Sequence, residues 1–246
     1  MIKFFRHIRR KLIIENGMSR YMFYALGEII LVVIGILIAL QINNWNQNKI
    51  QKRQLEQILN IQSNDLKTDL ENIDEVIAFY EELDSLLMDI IVKEYPESYF
   101  ETINESNYAQ SIHSVSRISI GRVFNYQKRG IKLLNRFVEF NNISEADLSQ
   151  ELTQFYANDI EKMEISKEVV LSYMSENFKY LEQFPWFKDY VIKKYNPETV
   201  RFFANDLVYK NKAASFLVVA VRTYLRDLKK FRIRASEIIE KIEQEL

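Results

Sequence analysis

The stretch YMFYALGEIILVVIGILIALQI, residues 21–42, decides how this chain is organised. At 1.5 Å per residue it forms a helix of about 33 Å, long enough to cross the hydrocarbon layer of a membrane. Its uninterrupted apolar centre, Ile29 to Leu40, is shorter. The flanking residues therefore have to distinguish a membrane anchor from a buried core helix or a cleaved signal peptide.

The flanks of this stretch favour an anchor that is kept. A basic and aromatic segment precedes it, and no small-residue cleavage site follows it. Tyr21, Tyr24 and Trp45 stand where aromatic residues meet the membrane interface. We therefore predict a signal-anchor, a single transmembrane helix at residues 21–42 that contacts the lipid bilayer.

The distribution of basic residues predicts the orientation of the anchor. Residues 1–20 hold six cations, whereas the twenty residues after the anchor hold three. Loops rich in Lys and Arg stay in the cytoplasm. In a bacterium this predicts a basic cytoplasmic tail at residues 1–20, the anchor in the inner membrane, and a periplasmic domain at residues 43–246.

Glu28 is a candidate intramembrane polar site, because an ionised carboxylate is costly inside the hydrocarbon layer. The alternative is that Glu28 reaches the headgroups, or pairs with Arg20 or with a neighbouring chain. Gly35 and Ala39 form a small-xxx-small pair, which is typical of helices that associate in membranes. Self-association is therefore one expected partnership.

The domain behind the anchor is predicted to be all-α. The 246 residues are 48% apolar and include only five Gly and three Pro, so little interrupts a helix. Helix breaks predict one helix at about 45–94, continuous with the anchor, and another at 122–140. A Ser144 cap, with a hydrophobic staple between Ile143 and Leu148, predicts a third helix that ends at about 184. Asn196 marks the start of a further helix.

The last helix carries an apolar seam at alternating spacings of three and four. The seam consists of Ala214, Leu217, Val221, Tyr224, Leu228, Phe231, Ala235, Ile238 and Ile242. Such a seam fits either a helix in an antiparallel bundle of one chain or a coiled coil between chains. Since the chain offers other long amphipathic helices, we favour the antiparallel bundle.

Composition argues against several classes of function. From residue 43 onward there are 27 cations and 32 acids, which disfavours nucleic-acid binding. There is no Cys, and His7 and His113 have no metal-ligand spacing between them. No nucleotide-binding, metalloprotease or serine-hydrolase motif occurs. We assign no catalytic, cofactor-binding or metal residue and do not expect an enzyme.

One segment departs from the acidic character of the domain. Between Ser106 and Val138 there are six cations and no acid, namely Arg117, Arg122, Lys128, Arg129, Lys132 and Arg136. They form a candidate surface for an anion or an acidic partner. Alternatively, they pair with the surplus acids of neighbouring helices.

The residues ALGEIILVVIGILIALQINNWN, 25–46, with the basic segment before them, resemble an uncharacterised family of single-pass membrane proteins, a domain of unknown function abundant in Bacteroidota. Residues 126–135 and the terminal ASEIIEKIEQEL also resemble this family. The resemblance implies an anchor followed by a helical domain. It implies no ligand, substrate or activity.

Two hypotheses of function follow. The first is a membrane-anchored helical interaction or scaffold protein of the bacterial envelope, whose partner is an envelope protein. The alternative is a periplasmic sensor of a small anionic ligand, which predicts a concave pocket among the six cations between Arg117 and Arg136.

Overall fold

The computed structural model describes residues 18–141 and 147–246, which form helices, turns and irregular segments without a strand. This all-α fold agrees with the prediction. The chain divides into two units, Met1–Glu56 and Gln57–Leu246.

The first helix, α1, is Met18–Val92, 75 residues long. The predicted continuity between the apolar stretch and the helix after it is confirmed. α1 ends shortly before Pro96, where the backbone must leave the helical region. In the described part of the chain, α1 is the helix that is long and apolar enough to span a membrane. The side chains of its most apolar stretch are not buried by other residues.

Shorter helices make up the rest of the second unit. In chain order they are α2 Glu97–Glu101, α3 Tyr108–Val115, α4 Arg129–Asn141, α5 Asp147–Gln154, the π-helical segment π1 Phe155–Ile160, α6 Glu161–Leu181, α7 Phe187–Val191, α8 Pro197–Asn205, α9 Leu207–Phe216, the π-helical segment π2 Leu217–Leu225, and α10 Arg226–Glu245.

The predicted start of α8 is confirmed: Pro197 occupies its first position, and the Asn196 side-chain oxygen accepts a hydrogen bond from the Glu198 amide at 3.1 Å. The predicted cap at Ser144, with its partner Ile143, lies outside the described residues.

α10 runs antiparallel to the part of α1 in its own unit and to α5 and π1. Ion pairs join the helices in reversed numerical order: Lys67 with Glu243, Arg232 with Asp74, Lys229 with Glu81, Lys241 with Glu151, and Lys230 with Asp159. The antiparallel bundle within one chain is therefore present, and the core lies between these helices.

The predicted seam is buried within this bundle, with one shift. Leu217, Tyr224, Leu228, Phe231, Ala235, Ile238 and Ile242 are buried as expected. Ala214 and Val221 are only partly buried, while Ala213 and Ala220 are completely buried. A π-helix winds more residues into each turn than an α-helix, so π2 displaces the buried face by one residue.

The predicted helix at residues 122–140 is too long at its start, because α4 begins at Arg129. Residues 116–128, here called the central segment, form no regular helix. Side chains from other helices take up its backbone groups: Tyr209 hydroxyl binds Arg117 N, Asn177 binds Ile118 O, Tyr80 hydroxyl binds Arg122 O, Tyr224 hydroxyl binds Phe124 N, and Asp69 binds Gln127 N. These bonds replace those that a helix would have made.

Candidate functional site

Four of the six predicted cations lie on the exterior of α4 and at the residue before it. We call Lys128, Arg129, Lys132 and Arg136 the basic face; all four are exposed. Lys128, Lys132 and Arg136 are spaced by four residues, which places them along one side of a helix. Within residues 18–141 and 147–246, no acid forms an ion pair with any of the four.

Four acids of α1 are engaged by groups other than the basic face. Asp74 and Glu81 on α1 form ion pairs with cations of α10, at 2.6 Å in both cases. Asp65 and Asp69, which lie on the same helix nearer to α4, accept backbone hydrogen bonds instead. No described acid therefore forms an ion pair with the basic face, and Glu139, which is exposed on α4 itself, leaves the four cations in excess.

Two carboxylates attach the start of α4 to α1. The Gly130 amide donates to Asp65 Oδ2 at 2.7 Å, and the Gln127 amide donates to both Asp69 carboxylate oxygens at 2.9 and 3.1 Å. The first amides of a helix have no partner within the helix, and negative charge is favourable there. These hydrogen bonds therefore fix the position of the backbone at the start of the basic face.

Asp69 is completely buried. Burial raises the pKa of its carboxyl group to about 7, the hydrogen bond from Gln127 acts in the opposite direction, and the nearby charge of Asp65 raises it further. Asp69 therefore exchanges a proton near neutral pH, at the point where α4 is attached.

Gly130 allows α4 to approach α1 closely. A Cβ atom at this position would lie 2.6 Å from Gln62 Oε1 and 2.7 Å from Gln62 Cα. Gln62 is itself held in place, because its Nε2 donates to the Tyr156 hydroxyl at 2.7 Å. Any larger residue at position 130 would push the first turn of α4 away from α1.

The other two predicted cations lie apart from the basic face. Arg117 is only 8% exposed, and its Nε is buried without a hydrogen-bond partner in the described part of the chain. Arg122 is exposed, lies over the Phe79 ring and approaches Glu75 at 3.9 Å. Arg117 is therefore largely removed from any exposed surface, while the role of these cations as a surface for an anion or a partner stays a prediction.

Glu28 lies inside the apolar part of α1, and it is partly buried while the apolar residues that follow it are exposed. The side chain of Arg20, its predicted partner, lies outside the described side chains. The structure thus confirms the position of Glu28 in a candidate span. Its role as an intramembrane site stays a prediction.

Sequence reasoning missed the polar role of the buried tyrosines. Tyr224 was counted only as part of the apolar seam, and Tyr80 lies at a buried position of α1, yet both hydroxyls bind the central segment. Burial raises the pKa of Tyr80, and raises that of Tyr224 to about 12, so both hydroxyls remain protonated; that of Tyr80 donates to Arg122 O, and that of Tyr224 accepts from the Phe124 amide. A tyrosine at a buried position of an apolar seam could have indicated this role, because its buried hydroxyl needs a hydrogen-bond partner.

No group of three or more His, Asp or Glu side chains in the described ranges is arranged to hold a metal ion. The cavity at α3, lined by Ser116 and Ile120, and the groove on α6, lined by Ile165 and Val219, include none of the six predicted cations. The pocket that the sensor hypothesis requires is therefore not formed by those cations at either place.

Residues 28–117 match a family of unknown function, DUF6090. The match covers less than half of the chain and includes Glu28 and Arg117, but it stops before the basic face. It agrees with the resemblance to a domain of unknown function, while the membrane location and bacterial range stay predictions. No curated protein and no solved structure matches the chain.

Proposed function

We propose that this chain is a membrane-anchored helical interaction protein of the bacterial envelope, and that its basic face docks an acidic protein partner. The observation that carries the proposal is the set of four exposed cations, Lys128, Arg129, Lys132 and Arg136, without an acid partner in the described chain. Uncompensated charge of one sign attracts surfaces of the opposite sign and sets their orientation.

The shape of the basic face favours a protein surface over a small ion. Three of its cations lie on the outside of α4, and Lys128, just before the helix, has its Nζ 4.8 Å from the centre of the Tyr126 ring. Arg129 and Arg136 are about 10 Å apart along the helix axis. A small anion requires groups that converge on one point, whereas a row of cations matches a row of carboxylates. Nucleic acid is disfavoured because the domain as a whole is acidic.

An exposed aromatic side chain extends the row of cations. Phe140 is 88% exposed and follows Lys132 and Arg136 at the same spacing of four residues. Interfaces commonly combine an aromatic anchor with a charged rim. We therefore infer a partner that presents acidic residues beside an apolar site for the Phe140 ring.

The cellular location in this proposal, an inner-membrane anchor with a periplasmic domain, follows from α1 and from the charges before it. The apolar part of α1 is unburied and long enough to span a membrane. The six cations of residues 1–20 favour a cytoplasmic N-terminus and a periplasmic domain in the inner membrane. A reporter that is active only in the periplasm, fused after Leu246, should be active. Activity of a cytoplasm-specific reporter instead would reverse the orientation.

Site-specific crosslinking tests the docking surface. Asn135 is exposed between Lys132 and Arg136, so a photo-crosslinking residue placed there in the full-length chain should capture an acidic envelope protein in native membranes. The crosslink should weaken with salt, because exposed charge pairs are screened. It should disappear when Lys128, Arg129, Lys132 and Arg136 are all changed to Gln.

A matched variant controls for the loss of net charge. Lys162, Lys179, Lys188 and Arg222 are also exposed, and changing all four to Gln removes the same charge elsewhere. This variant should keep the crosslink. A crosslink to lipid, to a second copy of the chain, or to a protein whose capture does not need the basic face would contradict the proposal.

A further inference from the structure

A cavity of about 420 Å³ lies beside α3, away from the basic face. Its walls come from α3, from the start of the central segment and from the end of α7, and its lining includes Tyr108, His113, Ser116, Ile120, Tyr190 and Lys193. This volume is within the range of sites that bind small molecules, about 300–1,000 Å³.

The lining combines apolar walls with positive charge. Ile112, Ile120 and Val191 form apolar wall, and Lys193 and His113 supply a cation and an imidazole. Among the described residues that line the cavity there is no Asp or Glu. The neighbouring Asp189 carboxylate approaches Lys194 Nζ at 3.9 Å and accepts from Asn196 at 3.4 Å. Burial and, to a smaller extent, the charge of Asp189 raise the pKa of Tyr108 in the cavity wall. The cavity therefore suits a ligand with one negative end and an apolar body.

Lys193 has an unusual backbone for a residue with a side chain. Its φ is 54°, and among the described residues it is the one non-glycine residue with positive φ. It ends α7 in the manner of a Schellman cap: the Lys193 amide donates to Tyr190 O at 3.1 Å, and the Lys194 amide donates to Asp189 O at 2.8 Å. Glycine is the usual residue at such a position.

A lysine at a glycine position costs stability, and this lysine is exposed and is one of the residues that line the cavity. Strained backbone of this kind often marks a binding site. We propose that the cavity binds a small organic carboxylate, that Lys193 pairs with its carboxylate group, and that the walls formed by Ile120, Tyr190 and Val191 contact its apolar body. The inference concerns a different part of the chain from the basic face and does not rest on the proposed docking function.

Lys193→Gly separates binding from folding. Glycine relieves the positive φ, so this variant should unfold at a higher denaturant concentration than the parent. It should nevertheless bind carboxylates at least about five-fold more weakly, because it lacks the cation that pairs with them. Lys193→Arg keeps the charge and should keep the binding.

Ligand-observed NMR on the full-length chain in detergent provides the measurement. Benzoate, phenylacetate and isovalerate serve as probes, and the corresponding neutral amides serve as controls for apolar binding and for partition into detergent. At least one carboxylate should bind at millimolar concentration or below, about five-fold or more tightly than its amide.

Lys188→Gln removes a nearby exposed cation of α7 that neither lines the cavity nor pairs with Asp189, and it should leave carboxylate binding unchanged. The proposal is overturned if none of the three carboxylates binds at about 10 mM, if the amides bind as well as the carboxylates, or if Lys193→Gly binds as tightly as the parent chain.

Discussion

The backbone amide of Phe124 donates a hydrogen bond to the hydroxyl of Tyr224 at 3.0 Å, across 100 residues of sequence. The Tyr224 ring meets the ring of Tyr80 edge to face, at 5.4 Å between centroids, and the Tyr80 hydroxyl donates to Arg122 O at 2.8 Å. Two tyrosines in contact therefore hold adjacent parts of the central segment, which leads directly to the start of α4.

Removing the Tyr224 hydroxyl should destabilise the domain. Tyr224→Phe leaves the buried Phe124 amide without an acceptor, so the free energy of unfolding should fall by about 1–3 kcal/mol. Trp186 is buried, and in a Trp45→Phe background it is the single tryptophan, so its fluorescence can follow urea unfolding of the full-length chain in detergent. Tyr173→Phe is the control, because its hydroxyl forms no hydrogen bond with residues 18–141 or 147–246. Equal effects of the two substitutions would refute the prediction.

The seam of α10 should be sensitive to loss of volume at its centre. Leu228 is completely buried, and Leu228→Ala should lower the free energy of unfolding by about 2–5 kcal/mol by leaving a cavity. Ile233 on the same helix is 57% exposed, and Ile233→Ala should change it by much less. The same Trp186 fluorescence provides the measurement. If the seam instead joined two chains, the unfolding midpoint would depend on protein concentration.

Substitution at Gly130 should loosen the attachment of the basic face. In Gly130→Ala the new methyl group meets the backbone and side chain of Gln62 at 2.6–2.7 Å, which should destabilise the domain by about 1–3 kcal/mol. Hydrogen exchange of the amides at the start of α4 should become faster. Gly27→Ala is the control, because a methyl group there meets no atom within 4 Å apart from the nearby backbone of its own helix. Unchanged exchange in Gly130→Ala would show that the close approach does not hold α4.

Asp69 should make the stability of the domain depend on pH near neutrality. Its pKa is about 7 in the folded chain against an ordinary value of 3.8, so the folded state binds this proton more tightly than the unfolded state does. The stability that this proton adds to the folded state is fully present below the ordinary pKa of 3.8 and is lost as the pH rises through about 7. The free energy of unfolding should therefore fall from about pH 5 to about pH 8.

Asp69→Asn provides the comparison for this pH dependence. Asparagine keeps a side-chain oxygen that can accept from the Gln127 amide but does not titrate in this range. Urea unfolding across the same pH values should show a flatter profile for this variant than for the parent chain. Identical slopes for the two chains would assign the pH dependence to other groups.

The sequence by itself determined the parts of this fold that depend on local pattern. The run of residues 45–94 without Gly or Pro predicted the long continuous helix, and Asn196 with Pro197 predicted the start of α8. The apolar stretch at 21–42 predicted the candidate span, and the spacing of the last seam predicted its burial. Helix propensity, capping and apolar periodicity act within a few residues, so they are visible in one sequence.

Only the tertiary structure decided the path of residues 116–128 and the division of the basic segment. Tyr80, Tyr209 and Tyr224 satisfy the backbone of the central segment, so its apolar and basic residues did not need to form the predicted helix. This path buries Arg117 and leaves the basic face exposed on α4. The physical reason is that hydrogen bonds between residues about 40 to 100 positions apart leave no periodic mark in the sequence, yet they decide which backbone groups are satisfied and therefore which side chains reach the surface.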